Sequence, residues 1–356
     1  MLRKEYYLSE NAYGKWIYTN EQKYLEVKAP DHYTLGKIEG KMLAGKIRLF
    51  QILFYLMLFP YFFLKGMTYW HIVKIVREHE QCALDKYKEL YKELQDEMRG
   101  MADIIWGISY NDILIQNTYI ELVYGYLIPI FRKFPAEFEI GCTSIGVRKH
   151  SSKKENYGHS QEPDKKIKII MGQNFDYSKF FLPMASFAFI DVENRPKIFC
   201  FRLGAMLSLP AGKNENNVKL NVNTVKSRIK GKAIIATGVR TRLGWYMADS
   251  ADNVKNMILE TKESICYNLL IGDNNKLIAL EINPYEIPQR NVDTWVALTN
   301  TFTSEILQEY LFHKDYSKER QRHAEKLLEK YYHTEFSEMD LLKKILSDKP
   351  IISRKK

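Results

Sequence analysis

The chain opens on helical spacing, switches near its middle to short alternating runs, and returns to helices at its end. From residue 33 to 48 apolar side chains recur at a helical period, with Gly36, Gly40 and Gly45 placed where a second helix can approach closely. Residues 72–98 form a long charged amphipathic stretch, and 97–106 continue it. Gly107-Ile108-Ser109-Tyr110-Asn111-Asp112 reads as a turn capping the next helix, over residues 113–124. From residue 138 the pattern shortens to strands at 143–148, 166–172, 187–192, 197–203 and 218–225. Between the first two, the Lys- and Ser-containing segment 149–165 has no apolar period and predicts an exposed hairpin loop. Helices follow at 240–249 and 253–262, then a hairpin of 267–272 and 276–282 and a strand over 295–299. Two more helices, 318–332 and 338–346, complete the pattern, and no internal repeat occurs. Strands bracketed by helices in this order predict a layered α+β domain, its sheets packed together beneath helical covers.

One stretch breaks the amphipathic rule. Leu49 to Leu64 (LFQILFYLMLFPYFFL) is apolar all round apart from Gln51 and Pro60. It is shorter than the roughly 20 residues that span a bilayer, so a buried helix is the first expectation. A surface that lies on a membrane, or lines an acyl-chain pocket, is the second.

Composition narrows the class. The chain has 356 residues, 46% of them hydrophobic, which is ample for a large core. The net charge is +10, but it is spread along the chain, with its densest runs at 148–154 and 354–356. With no zinc-finger spacing or aromatic RNA-binding signature, a solvated basic surface is expected and a nucleic-acid partner is not. The four cysteines, Cys82, Cys142, Cys200 and Cys266, lie far apart without a CxxC, so neither metal nor disulfide framework is indicated. No Asn-x-Ser/Thr acceptor occurs, and no apolar signal core follows the first residues; a cytoplasmic setting is expected.

The most informative stretch is Glu139-Ile140-Gly141-Cys142-Thr143-Ser144-Ile145-Gly146, which places a cysteine after glycine at the start of a strand. Alone this is an ordinary core cysteine. Three other strand ends add chemistry: Gly172-Gln173-Asn174-Phe175-Asp176-Tyr177, the run reaching Asn223, and Thr299-Asn300. Asp and Asn at strand ends usually cap turns. Together, however, these supply a thiol, a carboxylate and two amide donors.

In this order the motifs resemble the penicillin acyltransferase family of cysteine N-terminal-nucleophile (Ntn) hydrolases, with bile salt hydrolases and acid ceramidase as more distant cousins. Residues 97–119 (EMRGMADIIWGISYNDILIQNTY) are similar to the helix pair before the family's processing site, and Gly141–Ser144 to that site. Residues 172–177 resemble its Asn-aromatic-Asp-aromatic signature, 212–223 its Gly-x-Asn turn, and 267–281 its N-x-L-x-G-D…E hairpin. Thr299-Asn300 and the Ser-x-x-Arg of Ser317 and Arg320 complete the series. The sequence departs from the pattern at Gln173, where bile salt hydrolases carry Arg, at Thr301, where many relatives have His, and at Asn216-Asn217, where Gly is usual.

The resemblance implies an αββα sandwich with a mostly helical N-terminal segment. It implies self-cleavage between Gly141 and Cys142, giving segments 1–141 and 142–356 that stay associated in one compact domain. Cys142 would then be the nucleophile and its new α-amine the base. A free thiol titrates near 8.5 and needs a base, whereas an α-amine titrates at about 7.7–8.0. Asp176 is the candidate for holding the amine, Asn300 and then Asn223 for the oxyanion, and Gln173, Asn174 and Arg320 for support. The expected substrate is an N-acyl amide or a short peptide-like amide, with no metal or organic cofactor. Acyl-CoA enters only as a substrate, if the acyl-thioester passes to an amine rather than to water. A non-catalytic membrane-associated relative, docking through Leu49 to Leu64, is the rival from another class.

Overall fold

The structure, a computed structural model, describes residues 4–20, 22–131, 141–151, 166–176, 179–261, 265–312, 316–334, 337–349 and 351–352. Most of the loop expected at 149–165, and the basic run at 354–356, lie outside these residues. Three strands absent from the sequence expectation lead the chain: β1 (Glu5–Ser9), β2 (Ala12–Tyr18) and β3 (Lys23–Ala29). The long helix α1 (His32–Leu53) follows, capped by Asp31, and passes through a π-turn at Phe54–Leu58 into α2 (Phe59–Phe63). Helix α3 (Tyr69–Ile104) bends at Tyr87 and returns along α1, and α4 (Tyr110–Asn117) and the single turn α5 (Tyr119–Glu121) lead through a π-turn at Leu122–Leu127 to the end of the helical segment. Ser109 and Asp112 cap α4 reciprocally, as the turn sequence suggested.

The remaining strands are β4 (Gly141–Ser151), β5 (Lys166–Asp176), β6 (Ala185–Val192), β7 (Ile198–Leu203), β8 (Leu209–Asn214), β9 (Lys219–Thr224), β10 (Tyr267–Gly272), β11 (Leu277–Ile282), β12 (Gln289–Asn291) and β13 (Trp295–Leu298). Helices α6 (Thr237–Met247) and α7 (Ala251–Glu260) precede β10, and α8 (Tyr316–Tyr331) and α9 (Glu338–Leu346) follow β13. Among the described residues a large sheet runs β1-β2-β3-β6-β7-β8-β9-β10-β11-β12, and a small one runs β13-β4-β5. Helices α1, α6 and α7 pack on the large sheet, with α3 behind α1; the small sheet packs on β9, β10 and β11, and α8 and α9 cover it. The layers are therefore helix, sheet, sheet, helix, the αββα sandwich that the resemblance implied. Strand β3 pairs in parallel with β6, so residues before and after Cys142 share one sheet.

Three glycines, Gly36 and Gly40 of α1 and Gly100 of α3, set how closely the two helices approach. A Cβ on Gly36 would stand 1.9 Å from the Glu97 carbonyl oxygen, and one on Gly100 would stand 2.2 Å from that of Tyr33. Gly45, expected to share this role, faces open space instead. Gly36→Ala should therefore separate the helices and cost about 3 kcal/mol or more, readable as a lower urea midpoint, while Gly45→Ala should be neutral or slightly stabilising.

The apolar run from Leu49 to Leu64 is only half inside. Phe50, Phe54, Leu58 and Phe62 are buried, and Gln51, the odd polar residue, donates to Asp112 Oδ1 at 2.7 Å. Leu56, Phe63 and Leu64 lie on the opposite face at 70%, 65% and 72% exposure. With α1 and α2, the helical run His32–Phe63 is long and apolar enough to cross a membrane by length and composition.

Candidate active site

Strand β4 alternates cleanly between two environments. Ile145 and Val147 face the α8–α9 cover. Ser144 faces the large sheet, where its hydroxyl donates to Asn223 Oδ1 at 2.9 Å. Period-two alternation places the Cys142 side chain with Ser144, between the sheets, and Gly141 and Thr143 on the helical side. The β4–β5 ladder pairs Cys142 with Phe175, Ser144 with Gln173, and Gly141 with Asp176.

The backbone of Cys142 is held at both ends. Its N–H donates to Asn300 Oδ1 at 2.5 Å, and its carbonyl accepts from Arg320 Nη1 at 2.6 Å. Arg320 Nη1 also reaches Thr143 Oγ1 at 3.0 Å, and Nη2 donates to Asn300 Oδ1 at 2.9 Å and to Ser317 Oγ at 3.1 Å. One buried guanidinium thus ties α8, β4 and the loop after β13 together. Arg320, expected only as a supporting residue, is buried against the Cys142 backbone.

The Cys142 sulfur is buried, and burial pushes its thiol up to about 12 despite the opposing pull of the Arg320 charge and a hydrogen bond from Asn300. The nearby Asp176 adds a smaller push in the same direction as burial. In the continuous chain burial therefore favours the protonated thiol, so attack on a neighbouring carbonyl needs the proton to be taken up as the bond forms. The carboxylate of Asp176 stands on the helical side: a Cβ built on Gly141 would lie 3.7 Å from its Oδ2 and 3.8 Å from Arg320 Nη2. Asp176 therefore borders the Gly141–Cys142 peptide.

The other candidates are brought close but engaged elsewhere. Asn300 Nδ2 donates one proton to Thr224 O at 2.7 Å, and its second N–H is the one an oxyanion role would use. Asn223 Nδ2 donates to Leu298 O at 2.7 Å, while its Oδ1 accepts from both Ser144 and Gln173. Gln173 Nε2 is spent on Asn223 and Val222 O, both at 2.8 Å, and not on the thiol. Asn174 donates to Leu346 O and fastens α9 to the edge strand.

Several supporting groups were quoted in motifs without a role. Asn268 Nδ2 donates to the carbonyls of Thr299 and Thr301 at 2.8 and 2.7 Å, one on each side of Asn300. Glu281 accepts from the amides of Thr303 and Ser304, and Thr299 Oγ1 donates to Ser317 O at 2.9 Å. The hairpin motif thus fixes the loop that carries Asn300. Asn214 donates to Trp245 O and Ala248 O and anchors the β8–β9 turn, in which Asn217 takes the left-handed conformation at φ 61° that glycine would favour. Among the described residues no cluster of His, Cys, Asp or Glu could hold a metal ion.

No protein-family model matches this chain, and no curated protein matches it. Among solved structures it is similar to the Caenorhabditis elegans N-acylethanolamine-hydrolyzing acid amidase (NAAA) ortholog, at 13% identity and a TM-score of 0.43, over 60% of this chain and 88% of that one.

Proposed function

We propose that this chain is a cysteine amidase of the Ntn type, which cuts itself between Gly141 and Cys142 and then breaks N-acyl or peptide-like amide bonds through an acyl-thioester on Cys142. The supporting observation is the grip on the Cys142 backbone on both sides of its Cα: the nitrogen of the Gly141–Cys142 bond to Asn300 and the following carbonyl to Arg320, with a side-chain-free Gly141 on the attacked side. In the cut, Sγ adds to the Gly141 carbonyl carbon, the C–N bond breaks, and the thiol proton passes to the departing nitrogen. Water then hydrolyses the Gly141 thioester, leaving a carboxylate, a free thiol and a new α-amine. That amine stays where Asn300 Oδ1 already receives the N–H, and it has an intrinsic pKa of about 7.7–8.0, suited to a base near neutral pH. Nucleophile and base then sit on one residue, which removes most of the entropic cost of bringing them together. Because β3 pairs with β6, the two segments are expected to remain one body after the cut.

The test is turnover of a panel of N-acyl amino acids and short peptides, followed by mass spectrometry. Amide hydrolysis with an acyl adduct on the peptide beginning at Cys142 is expected. Hydrolysis that persists in Cys142→Ala would exclude the reading. Hydroxylamine capture of the acyl group would show how the same thioester divides between water and an amine.

A second reading concerns location. Besides Leu56, Phe63 and Leu64, Trp70 and Trp106 are exposed at 70% and 88%, and Trp70 adjoins Tyr69, which meets Tyr55 of the same apolar run. Arg48, one helical turn before Ile52 on α1, donates to the Trp106 carbonyl at 3.3 Å, so a cation adjoins the apolar face, and Lys65 follows it. Exposed aromatic rings and aliphatic tips with flanking cations suit an anionic lipid surface. The protein should float with phosphatidylserine-containing vesicles, and Leu56→Glu with Leu64→Glu should leave it in the soluble fraction.

A further inference from the structure

The face of the large sheet nearest Cys142 carries an aromatic platform. Phe187 of β6 stacks on Phe199 of β7 with ring centroids 5.8 Å apart, and lies 5.3 Å from Phe201. Phe201 in turn stands 5.4 Å from Phe175, the residue opposite Cys142 in the β4–β5 ladder. The platform therefore runs outward from the neighbour of the sulfur. It ends at a cavity of about 230 Å³ bounded by Phe187 and Phe201, by Trp16 and Ser186, and by Lys23 and Lys46.

Two independent features distinguish this cavity from a crease. Trp16 and Ser186 are 7% and 8% exposed, yet Trp16 Nε1 and Ser186 Oγ meet no hydrogen-bond partner among the described residues. Folded proteins leave few such groups unpaired. The lysines supply the second feature. Lys46 Nζ is fixed by the carbonyls of Pro183 and Ala185, both at 2.7 Å, and Lys23 Nζ lies over the Trp16 ring, 4.5 Å from its centroid. Among the described residues neither lysine has a carboxylate partner. Burial, and then the charge of Lys23, hold Lys46 below its ordinary pKa. Two like charges thus converge on one small apolar cavity without a counter-ion, an arrangement that favours an anion between them.

We propose that this cavity is a substrate subsite for a short apolar segment that ends in a carboxylate. It rests on the reading of Cys142 as the nucleophile, and places the anionic end of the amide substrate away from the sulfur, beyond Phe175 and Phe201. Size limits the segment: a cavity on the order of 150 Å³ takes a benzene ring, so this one holds a single ring or a short chain rather than a long acyl tail. Phe201 lines the cavity and meets Phe175, the ladder partner of Cys142, so these two rings link cavity and nucleophile.

Equilibrium binding of 4-phenylbutyrate and 4-phenylbutan-1-ol to the full chain tests this directly, by calorimetry at low salt. The acid should bind at least about tenfold more tightly than the alcohol. Lys23→Gln should remove most of that preference, and Lys28→Gln, further along β3 and away from the cavity, should keep it. Equal binding of acid and alcohol, a preference that survives Lys23→Gln, or binding of neither would overturn the proposal. The measurement involves no turnover. If the acid binds as expected to a protein that hydrolyses no amide, the subsite stands and the amidase reading fails.

Discussion

Replacing Arg320 with alanine should both slow self-cleavage by at least about a hundredfold and destabilise the chain by roughly 3 kcal/mol. The guanidinium is 1% exposed and makes bonds to Cys142 O, Thr143 Oγ1, Asn300 Oδ1 and Ser317 Oγ. Alanine leaves the Cys142 carbonyl and Asn300 without that donor in a site that water does not readily fill. It also removes the charge that draws the Cys142 thiol down against burial, so the remaining cleavage should shift to higher pH. Arg320→Lys keeps the charge but loses the planar fork that spans α8, β4 and the Asn300 loop, so it should recover the pH profile better than the rate. Appearance of the fragment beginning at Cys142, followed against pH, separates these effects. An Arg320→Ala chain that cleaves at the wild-type rate would place the guanidinium outside the reaction.

Arg242→Met is the second change with a large expected effect, and it acts on folding rather than on chemistry. Arg242 and Glu97 form an ion pair at 3.0 Å with both side chains fully buried, next to the equally buried pair of Arg202 and Glu39. Arg242 also donates to Leu207 O at 2.8 Å and Tyr246 Oη at 3.0 Å, joining α6 to α3 and to the segment after β7. Breaking one partner of such a pair strands a buried charge, which costs about 3–5 kcal/mol. Glu97 is pushed up to about 8, chiefly by burial, with Arg242 opposing and Glu39 adding to the push. A carboxyl whose folded pKa lies above its unfolded value favours the folded state while protonated, and loses that contribution as pH rises through the folded pKa. The Arg242→Met deficit in urea unfolding should therefore be larger near pH 8.5 than near pH 6. Pairing it with Glu97→Met should recover most of the loss. A deficit independent of pH would show that Glu97 is not the group left stranded.

The elements around Cys142 were legible because each carries a short-range signal. Cys142, Asp176, Asn223 and Asn300 sit at or beside the ends of alternating strands, and the ladder registers bring those ends together. What the polar side chains do there was not legible, since it depends on which face each occupies after packing. Asp176 proves to border the Gly141–Cys142 peptide because hairpin register pairs it with Gly141, and Arg320 proves buried because α8 lies across β4. Strands β1 to β3 escaped notice because EYYLS and KYLEVKA place charge on the solvent side, and because the glycine in β2 weakens the alternation. Strand β8 contains Pro210 and Gly212, which read as a turn; a Cβ on Gly212 would meet the Phe199 carbonyl at 2.3 Å. The run from Leu49 to Leu64 was misjudged in extent because α1 continues through a π-turn into α2, so a single helical run is longer than its apolar stretch.

Intact mass of the purified protein, beside that of Cys142→Ala, decides whether the chain cuts itself before Cys142. Chains 1–141 and 142–356 are expected for the wild type and one whole chain for the variant. A wild type that stays whole across pH values, or a Cys142→Ala chain that splits at the same bond, would contradict it.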